Sequence, residues 1–190
     1  LLNQSRFGIG GASFRVGAEA GEVETVPFGA FPRTVIEEIG GMNEQLARGE
    51  DNEYNARIRR AGYKIYLDPK IVSTYYARAD YKGSVKQMYQ NGVSIGQLFY
   101  VDRDGISIRH LVPLAFVCAI ILGSILSTVH PIFGKMLDCM LIVYLITSLA
   151  ATIQICKKNG WKYLQILPIL FFSIHVAYGI GTIIGLLHKK

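Results

Sequence analysis

The sequence predicts an α/β polar half followed by an α-helical membrane region of about three helices. Three observations carry this. Of the 190 residues 51% are hydrophobic, yet residues 1–110 hold 13 of the 14 acidic and 14 of the 20 basic side chains. Residues 111–190 contain apolar runs at 111–129, 136–156 and 164–187, each near the roughly 20 residues that a bilayer core needs. Residues 1–80, in contrast, alternate short strand patterns with short helix patterns.

In the polar half, residues 22–28 read as a short strand ending at Pro27 and Gly29. Residues 32–39 read as a short helix, with Pro32 in the first turn and Gly40-Gly41 as the stop. Residues 43–49 form a loop. Residues 50–61 are a helix: Tyr54, Ile58 and Ala61 share a face, Glu50, Asp51 and Glu53 crowd the first turn, and Arg57, Arg59 and Arg60 crowd the last. That charge order complements the helix dipole, and Gly62 ends the helix. Residues 63–67 alternate as a half-buried strand, and 71–76 are a second strand candidate. Ser84 is placed to cap a helix over 85–100, whose stripe of Val85, Met88, Tyr89, Ile95 and Phe99, flanked by Tyr and Lys, fits a helix lying in the membrane interface. Residues 81–110 thus form an interfacial helix and linker between a domain at 1–80 and the membrane region at 111–190.

The polar half is nearly neutral, so the net charge of +6 comes mostly from the flanks of the apolar runs. That is not the basic stripe of a nucleic-acid binder. Cys118, Cys139 and Cys156 lie in or beside apolar runs with no CxxC pair, as small hydrophobes rather than a disulfide framework or zinc site. The chain opens on Leu1-Leu2, which points to a fragment, and no signal peptide is visible. The loop 157–162 carries three lysines and the loop 130–135 only one, which puts the former on the cytoplasmic side. Counting back over two spans makes the polar half cytoplasmic; counting forward puts Lys189-Lys190 outside, against the same bias, so the third segment is open to a re-entrant reading. Gly181 and Gly185 in that segment allow close helix approach, and His175 has either a function or a hydrogen-bond partner on a neighbouring helix.

The runs 26–33 (Val-Pro-Phe-Gly-Ala-Phe-Pro-Arg), 40–44 (Gly-Gly-Met-Asn-Glu), 49–57 (Gly-Glu-Asp-Asn-Glu-Tyr-Asn-Ala-Arg) and 60–65 (Arg-Ala-Gly-Tyr-Lys-Ile) resemble, in order and spacing, the second half of the GT-A domain of family 2 glycosyltransferases. The likeness is to the succinoglycan-biosynthesis type, which continues into membrane helices. Residues 7–11, 86–92 and 175–181 agree with it, so it covers nearly the whole chain.

The resemblance implies an incomplete GT-A domain with a mixed sheet, on an inverting enzyme that moves a sugar from a nucleotide sugar to an acceptor hydroxyl. It makes Asp51 the general base and Glu50 the runner-up; without it, Glu50, Asp51 and Glu53 read as helix-capping acids. The helix dipole would hold Asp51 ionised and lower its basicity. Arg57 braces the acid pair, faces donor phosphates, or is a plain helix-end charge. Phe28, Gly29 and Ala30 lie below the acceptor, and Gln87 and Gln90, with Asn91, stand where processive relatives carry a Gln-rich motif. That motif's Arg-Trp ending is missing here, which favours single-sugar addition. The expected partners are a uridine diphosphate sugar, a polyprenyl-linked saccharide and membrane lipid, at the cytoplasmic membrane of the cell. A divalent metal, Mg or Mn, is expected in the complete enzyme, with ligands in a first half that this chain lacks. Asp102-Arg103-Asp104 has an Asp-x-Asp spacing but follows the interfacial helix and reads as a solvated turn. Without the donor half the chain is expected to be inactive alone. Two other classes are a non-catalytic membrane scaffold or subunit and a lipid-linked-sugar transporter, the latter weakened by the lack of mid-span charges.

Overall fold

The computed structural model describes residues 1–5, 7–8, 19–44, 46, 48–74 and 80–188. Its elements are β1 (Gly21–Glu22), α1 (Arg33–Ile39), α2 (Glu50–Arg60), β2 (Tyr66–Leu67), α3 (Tyr81–Val101), α4 (Ile108–Ser127), α5 (Pro131–Asn159) and α6 (Ile166–Leu187), with 3-10 turns at Leu2–Gln4, Arg103–Gly105 and Trp161–Tyr163.

Helix α2 forms as its charge order predicts. Ala61 closes it and Gly62 leaves with φ 87°, a left-handed value that favours glycine. Helix α1 starts after Pro32 and stops at Gly40, with φ 81°. The two pack through Val35, Tyr54, Ile58 and Ile65, with the Phe31 ring edge-on to Tyr54 at 5.0 Å.

The strands fall short of expectation. Among the described residues only Gly21↔Leu67 and Glu22↔Tyr66 pair, antiparallel, with one further bond from the Val23 N–H to the Ile65 carbonyl at 2.9 Å. The expected strand over 22–28 ends so early for a local reason. Pro27 has no N–H to donate, Phe28 turns to φ 54°, and the Val26 carbonyl is taken by the Asn55 side chain. Residues 71–74 form no strand, and 75–76 lie outside the described residues. A mixed sheet is therefore not present among the described residues.

Helix α3 begins four residues before the expected start at 85. Asp80 is the N-cap, its carboxylate accepting from the Gly83 N–H at 2.6 Å, and the Ser84 hydroxyl donates back to the Asp80 carbonyl at 2.9 Å. This helix does not lie alone in an interface: it packs along α6. The glycines permit this. A Cβ on Gly92 would stand 2.0 Å from the Tyr178 carbonyl oxygen, and one on Gly185 would stand 2.2 Å from that of Val93. Gly181 makes the same approach to Tyr89, as its spacing suggested.

The turn after α3 is a second correction. Asp102 is not solvated: it is 7% exposed and pairs with Arg60 of α2 at 2.8 Å and 2.6 Å. Asp104, which is exposed, meets the same guanidinium at 3.0 Å.

Helices α4, α5 and α6 are each long and apolar enough to cross a membrane. α4 and α5 form an antiparallel hairpin, with Gly123 against Leu137 and Phe116 stacked on Tyr144 at 4.5 Å. His175 has the inter-helix partner that the sequence left open, its Nδ1 lying 2.8 Å from the Tyr144 hydroxyl. The Phe7 ring packs against Tyr144, Phe171 and His175; of the stretch 7–11, residues 9–11 lie outside the described residues.

Candidate active site

The acid pair stands at the first turn of α2, and the approach to it is tightly built. Gly49 enters the helix with φ 82°, a conformation that side chains resist. A Cβ there would also stand 2.6 Å from the Ser94 hydroxyl oxygen. That buried hydroxyl donates to the Arg48 carbonyl at 2.5 Å, and the Arg48 guanidinium donates to Asn91 at 3.1 Å. Leu46 packs in one cluster with Ile95 and Leu98. The turn that presents Glu50 and Asp51 is therefore moored to one face of α3.

Asp51 is half-buried. Burial first, and the neighbouring Glu50 carboxylate second, push its carboxyl above the ordinary aspartate range. The direction is opposite to the lowering expected from the helix dipole, and a raised carboxyl is the better proton acceptor. Glu50 holds one carboxylate oxygen buried with no hydrogen-bond partner among the described residues.

The expected bracing of the acid pair by Arg57 is not seen among the described residues; its acid partner is Glu53. Its guanidinium donates to the carbonyls of Ile39 at 2.8 Å and Gly41 at 2.7 Å, and its Nε lies 2.6 Å from the buried Glu53 carboxylate. It ties the Gly40-Gly41 turn to α2, and neither Glu50 nor Asp51 is its partner in those bonds.

Asn55 lies one turn beyond Asp51 and so on the same side of α2. It is fully buried, and its amide donates to Thr25 at 2.8 Å and to the Val26 carbonyl at 3.1 Å. This holds the segment bearing Phe28, Gly29 and Ala30 beside the helix. Phe28 is 73% exposed, while Gly29 is pressed on the Phe31 ring, where a Cβ would come within 2.5 Å. Gln87 and Gln90 are half-buried on α3, on the side that carries Asn91 and Ser94. They stand about one turn before the residues that moor the acidic turn.

Sequence reasoning missed an open cleft of about 290 Å³ beside Asn52. Glu24, Thr25, Asn52, Arg59, Arg109 and His110 line it. It brings together residues from three separate stretches, so no local signal marks it. One wall is the first turn of α4, which places the cleft where the polar half meets the membrane helices.

A divalent metal does not fit the described residues. No three His, Cys, Asp or Glu side chains gather among them, and Asp102 and Asp104 are engaged by Arg60.

No family model matches the chain, and neither does any solved structure. Two curated proteins do. The chain is 28% identical over 179 residues to the dolichyl N-acetyl-alpha-D-glucosaminyl phosphate 3-beta-D-2,3-diacetamido-2,3-dideoxy-beta-D-glucuronosyltransferase of Methanococcus voltae, a match covering 94% of this chain and 52% of that protein. It is 29% identical over 130 residues to the succinoglycan biosynthesis protein ExoA of Rhizobium meliloti, covering 68% of this chain and 39% of the relative. The chain thus spans about half the length or less of these relatives. The resemblance carried by the motifs is upheld, for the curated homologues of this chain are glycan- and polysaccharide-building proteins of the family 2 glycosyltransferase type.

Proposed function

We propose that this chain is the base-bearing part of a membrane-anchored inverting glycosyltransferase. Together with a donor-binding half that the extra length of its relatives accommodates, it moves a sugar from a nucleotide sugar to a lipid-linked or polysaccharide acceptor. Asp51 takes the proton from the acceptor hydroxyl as that oxygen attacks the anomeric carbon of the donor, and the nucleoside diphosphate leaves with the bonding electrons. The observation that carries this is the Asp51 carboxyl itself: half-buried, raised in basicity, and presented by a turn held rigidly from behind. Glu50 keeps the local field negative. Exposed Phe28, on the Asp51 side of α2, offers an aromatic face to a sugar ring. The cleft beside Asn52 opens at the membrane end of the polar half, which supports an acceptor delivered on a lipid.

The test is Asp51→Asn in the intact gene product, in native membranes supplied with nucleotide sugars. Removing a general base lowers the rate by roughly 10²–10⁴-fold, so transfer should fall at least a hundredfold while the protein stays in the membrane. Undiminished transfer overturns the proposal and leaves a non-catalytic scaffold.

A further inference from the structure

We propose that only α4 and α5 cross the bilayer, and that α6 lies with α3 as an in-plane pair whose partner is the leaflet facing the polar half. This rests on the arrangement of the helices and is independent of the catalytic reading.

The two faces of α3 carry the argument. At 3.6 residues per turn, Asn91, Ser94 and Leu98 point one way while Tyr89, Val93 and Gly96 point roughly opposite. The first face receives the polar half through Arg48, Leu46 and the acidic turn. The second receives α6 through Gly181, Thr182 and Gly185. So α3 is a layer between the polar half and α6, and the two helices run in the same direction: Tyr81 meets Ser173 and Tyr100 meets the Leu186 carbonyl. The second half of α6 therefore lies beneath the stretch of α3 that also carries the Arg60–Asp102 pair at its end.

The first half of α6 is equally shallow. Leu167 and Phe171 pack with Ala151, Ile155 and Cys156 at the end of α5, and with Met88 of α3. Helix α6 crosses the hairpin where Phe172 meets Phe116 and Tyr144 and, two turns on, Gly179 meets Pro113 and Val117. Phe116 lies eight residues into α4, roughly 12 Å from its start. Helix α6, unbroken from Ile166 to Leu187, thus lies across the hairpin at about that depth. The distal hairpin carries exposed Ile121, Leu122, Ile125, Met136 and Ile142, and the contacts of α6 lie nearer the base. Were α6 to span, its close glycine contacts would draw α3 across with it, carrying Lys82, Lys86 and Asn91 into hydrocarbon.

The face of α6 turned away from α3 suits the boundary of headgroups and acyl chains. Ile166, Ile169, Phe172 and Ile180 are exposed along it, with Trp161 and Lys162 at its entry. The chain then leaves α6 on the side that carries Lys157, Lys158 and Lys162, and the charge conflict noted in the sequence disappears.

The experiment uses the intact gene product with sidedness reporters inserted at the α4–α5 turn, in the polar half, and directly after residue 190, on the C-terminal side of α6. The C-terminal reporter should share the side of the polar half, and the turn reporter should face the other way. A C-terminal reporter on the side of the turn overturns the proposal. Fluorophores at residues 121 and 180 give a second reading, with lipids quenching at known depths. The label at 180 should be quenched best by shallow quenchers and the label at 121 by deep ones; equal depth for the two also overturns it.

Discussion

Replacing Arg60 by Ala tests whether the polar half is fastened to the membrane region by charge. Asp102 is buried, and its carboxylate takes two short bonds from Arg60 and a third from the Asp104 N–H at 3.0 Å. Removing one partner of a buried pair costs about 3–5 kcal/mol, because the other charge is left unpaired. Arg60 is half exposed, however, so water enters where it stood and solvates Asp102 in part. The expected cost is therefore about 2 kcal/mol. For a chain of this length each kcal/mol shifts Tm by roughly 2–4 °C, so thermal denaturation of the purified protein in lipid nanodiscs should show a drop of about 4–8 °C. Arg59→Ala is the control. That neighbouring side chain is exposed and reaches the Asp104 carbonyl at only 3.4 Å, so its loss should stay within about 0.5 kcal/mol. The double replacement Arg60→Ala with Asp102→Ala should cost clearly less than the two singles together. Strict additivity, or an Arg60→Ala protein that melts like the control, refutes the pairing.

Three further outcomes follow from the same geometry. Gly185→Ala drives a methyl into the α3 backbone and should destabilise by about 1–3 kcal/mol, read as lost protease resistance in detergent; Gly134→Ala, whose added carbon would meet Ser127 at 3.5 Å, should not. Ser94→Ala removes the hydroxyl that moors the acidic turn, a bond worth about 0.5–1.5 kcal/mol, so kcat should fall up to roughly tenfold with donor KM little changed; an unchanged kcat refutes the mooring. Asp51 must be ionised to act as base, so activity is lost as pH falls through its raised pKa, above the ordinary aspartate range. Glu50→Gln removes the second of the two causes of that rise and should move the acid limb of the rate profile downward; no movement refutes the coupling.

What the sequence carried is what depends on near neighbours. Helix α2 was legible because its caps, its charges and its buried stripe all lie within one segment. The three apolar helices were legible because span length is a local property. Gly181 and Gly185 announced close packing without naming the partner, since Tyr89 and Val93 lie about 90 residues away. Strands were overcalled because alternation marks a half-buried face but not the neighbour that completes the ladder, and Pro27 and Asn55 removed the bonds that a ladder needs. Asp80 displaced Ser84 as cap because both are good caps and the earlier one lets the helix gain another turn. Asp102 was misread as solvated because its partner is 42 residues distant, and exposure is a property of the fold rather than of the tripeptide.

These long-range links share a purpose that none shows alone. Ser94 and Asn91 hold the turn ahead of Asp51, Arg60 holds the far end of α2, and both anchors belong to α3 or to the turn that follows it. The glycine contacts then fix α3 to α6. A carboxylate that must stand within hydrogen-bond reach of a hydroxyl has little tolerance for displacement. A short α/β unit with a two-rung sheet is a poor source of rigidity, as so small a pairing is barely stable by itself. Bolting both ends of the acid-bearing helix to a membrane-packed helix supplies that rigidity from outside the unit. By this argument, changes along the α3–α6 seam should act on turnover through the position of Asp51 even though they lie far from the acid.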